Sequence, residues 1–205
     1  MSVNSSLNWA AVVLAAGSSS RMGRPKQLIS IDDETLLQKT INAAVQAGAK
    51  RTVVVIGANQ EAVRESTSTA DIEFIYNPEW ENGMGSSLKC GMTLVIAQFP
   101  EAEAVLLMVC DQPLLEADHL KKMVDKFVAT KAPIVASFYS GGNGVPVLFH
   151  QSLFHQLLTI PDEQGAKRIV EQNPALVKAV DFPNGAVDLD TPDDWKKFQN
   201  RKHKI

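Results

Sequence analysis

The hydrophobic pattern of the chain alternates between short apolar runs and segments with helical spacing. Residues 10–14 are apolar and partly β-branched without polar alternation, which is typical of a strand buried on both faces of a parallel sheet. The segment from Thr35 to Ala47 instead carries apolar residues at the spacing of an amphipathic helix. The alternation predicts an α/β fold in which helices cover a mostly parallel central sheet. Further strands are predicted at 51–56, 72–76, 104–109 and 134–139.

The pattern changes after residue 140. Gly141 to Gly144 form a cluster of turn residues, and Val145–Phe149 predicts a short strand. Two short helices are predicted next, at 151–158 and 165–172. We interpret 141–175 as a small lobe beside the sheet, within a single domain that spans residues 1–205.

Composition narrows the class of protein. The 205 residues are 45% hydrophobic, enough for one substantial core, and the net charge of −3 argues against a nucleic-acid or anionic-membrane surface. The first nine residues do not resemble a secretion signal, and no run is long enough to cross a membrane. Cys90 and Cys110 lie in apolar segments and are predicted to be reduced core residues. We therefore expect a soluble, cytoplasmic protein without a zinc site.

The loop from Leu14 to Lys26 reads LAAGSSSRMGRPK and follows the first strand directly. In open α/β sheets, ligands bind at the carboxyl ends of the strands. The small residues allow backbone N–H groups to approach phosphate oxygens, while Arg21 and Lys26 add positive charge. The spacing is not that of a Walker loop, because five residues separate Gly17 from Gly23. The loop predicts a nucleoside triphosphate site, and the alternative is a flexible surface loop.

Carboxylates follow at two further places. Asp111 comes after the strand 104–109, at the same sheet edge as the loop, where it is suited to hold Mg²⁺ together with substrate phosphates. Asp188 and Asp190 alternate with apolar residues on a predicted strand that covers Ala186–Leu189, and Asp190 is the preferred second ligand. The alternatives are a turn aspartate before a helix and an ordinary helix start.

A second segment rich in glycine and serine precedes a helix that is predicted to begin near Ser86. It runs from Asn77 to Ser87 and reads NPEWENGMGSS. Backbone N–H groups and the positive end of the helix dipole favour an anion there, either a nucleotide phosphate or the phosphate of a second substrate. The alternative is a capped turn with no ligand.

Together these motifs resemble those of the molybdenum cofactor cytidylyltransferases, within the larger group of nucleotidyltransferases. The matching pieces are LAAGSSSRMGRPK, NPEWENGMGSSL, CDQP, GNGVPVLF, QGAKRIV and DLDTPDDW. The resemblance implies a Rossmann-like, three-layer nucleotidyltransferase fold. It also implies transfer of CMP from CTP to the phosphate of molybdenum-molybdopterin, with release of pyrophosphate. A molybdenum-containing oxidoreductase is an implied partner.

The resemblance also implies roles for individual residues. It places Mg²⁺ on Asp111 and Asp190, and phosphate contacts on Arg21 and Lys26. The catalytic residues would be Lys26, Arg21 and Asp111, with no covalent nucleophile, because phosphoryl-type transfer depends on positioning and charge. The predicted nucleotide-binding residues are Leu14, Ala15, Ala16, Gly17, Arg21, Lys26, Asn77, Gly83 and Ser86.

Two features bear on the choice of substrates. Ala16 stands where related guanylyltransferases have glycine, and its methyl group is predicted to exclude a purine base. The segment Pro161–Ala166 is one residue longer than the corresponding segment of the family, which leaves the acceptor open. The competing interpretations are a cytidylyl- or guanylyltransferase for another small phosphate acceptor, and a non-catalytic protein that delivers the cofactor.

Overall fold

The computed structural model describes residues 7–68 and 72–202. Residues 1–6, which include most of the segment tested for a secretion signal, lie outside the described residues. The strands along the described residues are β1 (Trp9–Ala15), β2 (Ser30–Ile31), β3 (Glu34–Thr35), β4 (Arg51–Ile56), β5 (Ile72–Tyr76), β6 (Ala104–Val109), β7 (Ile134–Tyr139), β8 (Gly142–His150) and β9 (Val177–Asp181). The α-helices are α1 (Leu36–Gln46), α2 (Gln60–Glu65), α3 (Met84–Gln98), α4 (Ala117–Thr130), α5 (Phe154–Leu158), α6 (Lys167–Gln172) and α7 (Pro192–Lys202).

Among the described residues, seven strands form the central sheet in the order β5-β4-β1-β6-β8-β7-β9. The pairs on either side of β1 are parallel, as are β4 with β5 and β7 with β9, whereas β8 runs antiparallel to both of its neighbours. Strands β2 and β3 form a small antiparallel hairpin apart from this sheet. The predicted α/β class with a mostly parallel sheet is therefore confirmed.

Helices cover both faces of the sheet. Alternate residues of β1 point to opposite sides, so that Val13 packs with Leu37 of α1 and Leu120 of α4, while Val12 packs with Leu88 of α3. This three-layer arrangement explains why the central strands lack polar alternation, since both of their faces are removed from water. It also brings the loops after β1 and β6 to one edge, because these two strands are parallel neighbours.

The segment 141–175 differs from the lobe predicted from the sequence. Its first part is β8, which lies inside the main sheet between β6 and β7, so the residues predicted as a turn cluster mostly belong to a strand. Only the tip at Gly141, where φ is 77°, is a tight turn that requires glycine. The two short helices after β8 pack on the core through buried side chains, among them Leu157, Ile169 and Val170.

The strand predicted at Ala186–Leu189 is wrong. A 3-10 helix covers Pro183–Ala186, and the residues after it form no ladder. Leu189 is instead buried against Met22 and Phe198, and its N–H donates a single hydrogen bond to the carbonyl oxygen of Asp111. The alternation of apolar and polar residues suggested a strand. In the structure, Val187 and Leu189 make their apolar contacts from a loop that leads into α7.

The two cysteines were predicted to be reduced core residues, and the structure agrees fully for Cys110 and partly for Cys90. Cys110 is buried and Cys90 is half-buried, and both thiols are free. No helix within the described ranges is long and apolar enough to span a membrane.

Candidate active site

The phosphate loop, here residues 15–26, leaves the carboxyl end of β1 and turns back on itself. Ser19 takes the left-handed conformation with φ of 56°, and a 3-10 turn follows over Ser20–Met22. Gly23, with φ of 71°, ends that turn. These two residues reverse the chain and return Lys26 to the sheet edge where β6 also ends.

Four charged side chains predicted from the sequence come together at this edge. The Nζ atom of Lys26 lies 2.7 Å from Oδ2 of Asp111 and 3.0 Å from Oδ1 of Asp190. Arg21 donates to the other carboxylate oxygen of Asp190 at 3.0 Å. Asp111 lies two residues after the end of β6, and Asp190 precedes α7, where the Thr191 hydroxyl caps the helix by accepting from the N–H of Asp194. Residues far apart in the chain thus form one cluster at the end of the sheet.

The charges in this cluster shift the pKa values of its members. Burial by itself would lower the pKa of the Lys26 ammonium, but the charge of Asp111 and hydrogen bonds to Asp111 and Asp190 raise it above its usual range. Burial opposes ionisation of Asp190, yet its contacts with Lys26 and Arg21 lower the pKa of that carboxyl. Burial and the nearby charges of Asp190 and Asp111 raise the pKa of Asp188. Of Asp188 and Asp190, it is therefore Asp190 whose anionic form the neighbouring cations stabilise.

The donor set fits a divalent cation that is shared with a substrate. One oxygen of Asp111 and one of Asp190 lie within 3.0 Å of the same nitrogen, so they are at most about 6 Å apart. Carboxylate oxygens are preferred ligands of Mg²⁺, which keeps waters and substrate phosphates in its remaining positions. Within residues 7–68 and 72–202, no group of three or more His, Cys, Asp or Glu side chains could hold a metal ion. The two carboxylates suit a metal that arrives with phosphate oxygens.

An open cleft of about 310 Å³ leads away from the charged cluster. Its lining includes the start of the phosphate loop, the start of α3, Lys26 and Asp111. Of the predicted nucleotide-binding residues, those in its lining are Leu14, Ala16, Gly17, Lys26 and Gly83. The cleft has both apolar and polar lining residues and includes the charged Lys26 and Asp111, which suits a nucleoside triphosphate.

Family comparison supports this view of the site. A family model described as a MobA-like NTP transferase domain matches residues 11–178. The chain belongs to the MobA-like NTP transferase family. The matched range contains the phosphate loop, Asp111 and the start of α3, whereas Asp190 lies beyond it.

Individual relatives extend the match over nearly the whole chain. The molybdenum cofactor cytidylyltransferase of Escherichia coli (strain K12) is 24% identical over 195 residues, which is 95% of this chain and 97% of that protein. The nicotine blue oxidoreductase of Paenarthrobacter nicotinovorans is 28% identical over 193 residues, which is 88% of this chain and 91% of that protein. The MobA-like family is therefore shown, and relatives of similar identity carry different names.

Solved structures agree with the fold. The crystal structure of a Rv0371c homolog from Mycobacterium sp. strain JC1 has a TM-score of 0.82 at 29% identity, covering 94% of this chain and 96% of that chain. Rv0371c from Mycobacterium tuberculosis in complex with manganese has a TM-score of 0.78 at 28% identity, covering 94% of this chain and 98% of that chain. The sequence resemblance is confirmed at the level of the MobA-like nucleotidyltransferases.

Asn77 and Ser86 support a turn and do not line the cleft. Asn77 is buried and donates through Nδ2 to the hydroxyls of Ser86 and Ser87 at 2.9 and 3.0 Å. The Ser86 hydroxyl lies 2.8 Å from the carbonyl oxygens of both Glu79 and Gly83. Their polar atoms are engaged within the turn, and among these residues Ser87 and Gly83 reach the cleft wall.

The N-terminus of α3 packs closely on the segment 161–164. The N–H of Gly85 donates to the carbonyl oxygen of Asp162 at 2.7 Å, and Lys89 forms an ion pair with the Asp162 carboxylate at 2.5 Å. A Cβ on Gly83 or Gly85 would collide with backbone atoms of 161–164. The glycines in this MobA-like motif therefore allow two backbones to approach closely, a packing reason that the sequence reasoning missed.

Gln112 is a further site residue that was not predicted. It is buried, and its Nε2 lies 3.1 Å from the carbonyl oxygen of Val145 and 3.3 Å from that of Gly185. These contacts join the residue after Asp111 to β8 and to the loop that leads to Asp190. The signal in the sequence was a single glutamine between an aspartate and a proline, which by itself does not indicate such contacts.

Proposed function

We propose that this protein transfers CMP from CTP to the phosphate of molybdenum-molybdopterin and releases pyrophosphate. The observation that carries the proposal is the position of Lys26 between Asp111 and Asp190, with Lys26 and Asp111 in the lining of the cleft. Membership of the MobA-like family supports nucleotidyl transfer. The choice of CTP and molybdopterin is supported by the motifs and by the similarity to the cytidylyltransferase of Escherichia coli.

In the proposed reaction, an oxygen of the acceptor phosphate forms a bond to the α-phosphorus of CTP. The bond from that phosphorus to the oxygen that bridges to the β-phosphate breaks, and pyrophosphate leaves with the electron pair. Lys26 and Arg21 are placed to offset the negative charge that develops on the leaving group. Lys26 does so from a partly buried position, where such contacts are strong, whereas Arg21 is largely exposed. The chain contributes binding, alignment and charge.

The carboxylates of Asp111 and Asp190 would hold Mg²⁺. The bound ion would polarise the phosphate oxygens and neutralise part of their charge. Lys26, which contacts both carboxylates, would then turn toward the triphosphate. Divalent-metal use is supported by the manganese complex of the related Rv0371c.

A covalent intermediate on the protein is not part of the proposal. The thiol nearest to the site is that of Cys110, next to Asp111. Burial and the charge of Asp111 raise its pKa to about 12, so the thiol is neutral near pH 7. Direct attack by the acceptor phosphate needs no such nucleophile.

The deciding experiment measures pyrophosphate release by the purified protein with Mg²⁺ and molybdenum-loaded molybdopterin. CTP, GTP, ATP and UTP are compared in parallel, and Asp111→Asn serves as the inactive control. We expect release with CTP that exceeds release with the other nucleotides and that is lost in the variant. Release with CTP and a different phosphate ester, but none with molybdopterin, would support another acceptor. Nucleotide binding without release would support the delivery protein.

Delivery of the product is the remaining part of the proposal. The cytosine dinucleotide cofactor would pass to a molybdenum-containing oxidoreductase. Adding such an apoenzyme to the complete reaction and measuring its activation tests this step, with reactions that lack CTP as the control.

A further inference from the structure

The side chain of Gln27 lies beneath the phosphate loop and is 1% exposed. Its Nε2 donates hydrogen bonds to the carbonyl oxygen of Ala15 at 2.8 Å and to that of Gly17 at 2.7 Å. One amide group therefore joins the end of β1 to the first turn of the loop, from a position ten to twelve residues further along the chain.

Ser19 completes this arrangement. Its hydroxyl donates to Oε1 of Gln27 at 3.3 Å and accepts from the backbone N–H of Lys26 at 3.0 Å. Ser19 also has the left-handed backbone at the reversal of the loop. Both ends of the Gln27 amide are thus used, and the contacts link the start of the loop to the backbone of Lys26.

We propose that Gln27 is a positioning residue that holds the phosphate loop in its binding conformation before the nucleotide arrives. Gln27 is absent from the cleft lining, so it acts through the residues that it holds. The inference rests on the proposed function, because it assumes that the loop binds phosphates.

The physical reason is preorganisation. A loop rich in glycine and serine has many accessible conformations, and ordering it at the moment of binding would weaken the affinity. The two carbonyl oxygens that Gln27 engages are also partial negative charges, which are unfavourable close to a triphosphate. Hydrogen bonds from the Gln27 amide nitrogen order the loop in advance and offset the partial negative charge of the two carbonyl oxygens.

The test replaces this nitrogen. Gln27→Met keeps an unbranched side chain without a donor, and Gln27→Glu keeps the shape but places a carboxylate against two carbonyl oxygens. The matched control is Gln38→Met in α1, where a buried glutamine donates to Asn42 and accepts from the N–H of Ser68. Calorimetric titration with pyrophosphate and with CTP in the presence of Mg²⁺ gives the affinities, and steady-state kinetics give KM and kcat for CTP.

We expect Gln27→Met to weaken pyrophosphate and CTP binding about tenfold or more, and to raise KM by a larger factor than it lowers kcat. Gln38→Met lowers the stability but leaves both affinities within twofold of the wild type. Gln27→Glu provides a further signature: relative to the wild type at the same pH, its affinity recovers as the pH falls, because a protonated carboxyl can donate one hydrogen bond.

Wild-type pyrophosphate affinity in a folded Gln27→Met protein would overturn the role of Gln27 and leave the proposed function intact. If the wild type binds neither pyrophosphate nor CTP, the proposed function fails and the inference fails with it. If Gln27→Met does not fold, Ser19→Ala replaces it, since this variant removes only the hydroxyl between Gln27 and Lys26. Unchanged affinity in Ser19→Ala would equally contradict the proposal.

Discussion

The Nζ of Lys26 and Oδ2 of Asp111 lie 2.7 Å apart, although 85 positions separate the two residues in the chain. Because the same ammonium also contacts Asp190, it occupies the region between two carboxylates that a divalent cation would use. Under the proposed function, Lys26 and the cation would compete for the same oxygens until phosphates are present. Such competition would make metal binding dependent on the nucleotide.

Replacing this ammonium changes metal affinity and catalysis in opposite directions. In Lys26→Met the carboxylates lose their cation, so we expect Mn²⁺ to bind about tenfold more tightly in the absence of nucleotide. Turnover with CTP falls by at least tenfold, because the charge that faces the phosphates is gone. Mn²⁺ titration followed by electron paramagnetic resonance measures the first effect. Arg21→Met is the control: Arg21 pairs with Asp190 and is largely exposed, so its loss should change Mn²⁺ affinity less. Unchanged or weaker Mn²⁺ binding in Lys26→Met contradicts the competition.

Ala16 provides a test of base selection. Ala16 lines the cleft and also belongs to the buried cluster that packs on α3. Its carbonyl oxygen is held by the N–H of Ala58 at 2.9 Å, so the backbone there has little freedom. We expect Ala16→Gly to reduce the preference for CTP over GTP by about tenfold in kcat/KM, as one methyl group does in a close contact. Ala15→Gly is the control, because Ala15 is buried in the core under α1 and α4. An unchanged preference in Ala16→Gly would remove the steric explanation.

The glycines of the two loops have different functions and should respond differently to alanine. A Cβ on Gly85 would meet the carbonyl oxygen of Gln164 at 2.8 Å and come closer still to that of Pro161, whereas a Cβ on Gly17 meets nothing within 4 Å. We expect Gly85→Ala to lower the free energy of unfolding by about 2 kcal/mol, and Gly17→Ala to change it by less than about 0.5 kcal/mol. Urea denaturation measures both. Equal stability of the two variants would contradict the packing role of Gly85.

His119 makes the stability depend on pH. Its ring is buried against Phe182 at a centroid distance of 4.1 Å and lies beside the Ser137 hydroxyl. Burial, and to a lesser extent the charge of Lys122, lowers the pKa of His119 to about 4. Below about pH 6.5 the unfolded chain binds a proton that the folded protein does not. The free energy of unfolding therefore falls as the pH drops from 6.5 toward 4, by roughly 3 kcal/mol from this group.

The measurement is urea denaturation at pH 7 and at pH 4.5, for the wild type and for His119→Gln. The variant should lose clearly less stability between the two pH values, because its amide does not titrate. His155→Gln, at an exposed position on α5, is the control and should follow the wild type. If the pH dependence of stability persists unchanged in His119→Gln, groups other than His119 cause it.

Much of the sheet was predictable because its strands are continuous apolar runs. The bounds of β4, β5, β6 and β7 match the predicted ones. β4, β6 and β7 are largely buried, and a run buried on both faces has no competing pattern, whereas β5 is a half-buried edge strand. The position of β8 was not predictable, because nothing in its own residues shows that it inserts beside β6. Spacing was misleading at Val187 and Leu189, which pack on Met22, Phe198 and their neighbours without pairing as a strand.

The charged part of the site was also predictable, since Lys26, Asp111 and Asp190 have side chains suited to phosphate and metal. The residues that support the backbone around these side chains were not predictable. Gln27 and Gln112 form hydrogen bonds to backbone carbonyls that lie 10 to 73 positions away, and such bonds depend on tertiary positions that no local pattern encodes. The same holds for Asn77, whose polar side chain suggested a ligand but serves a turn.

The order of strands also constrains the chain while it is being synthesised. β7 leaves the ribosome before β8, yet it joins the sheet outside β8. Until residue 150 has emerged, the growing sheet ends at β6, whose apolar edge has no neighbour, and β7 has no place to attach. A nascent chain of this length exposes an edge open to association with other chains. Translational pauses or truncations between residues 110 and 150 should therefore produce aggregates, whereas a chain that extends past β8 closes that edge.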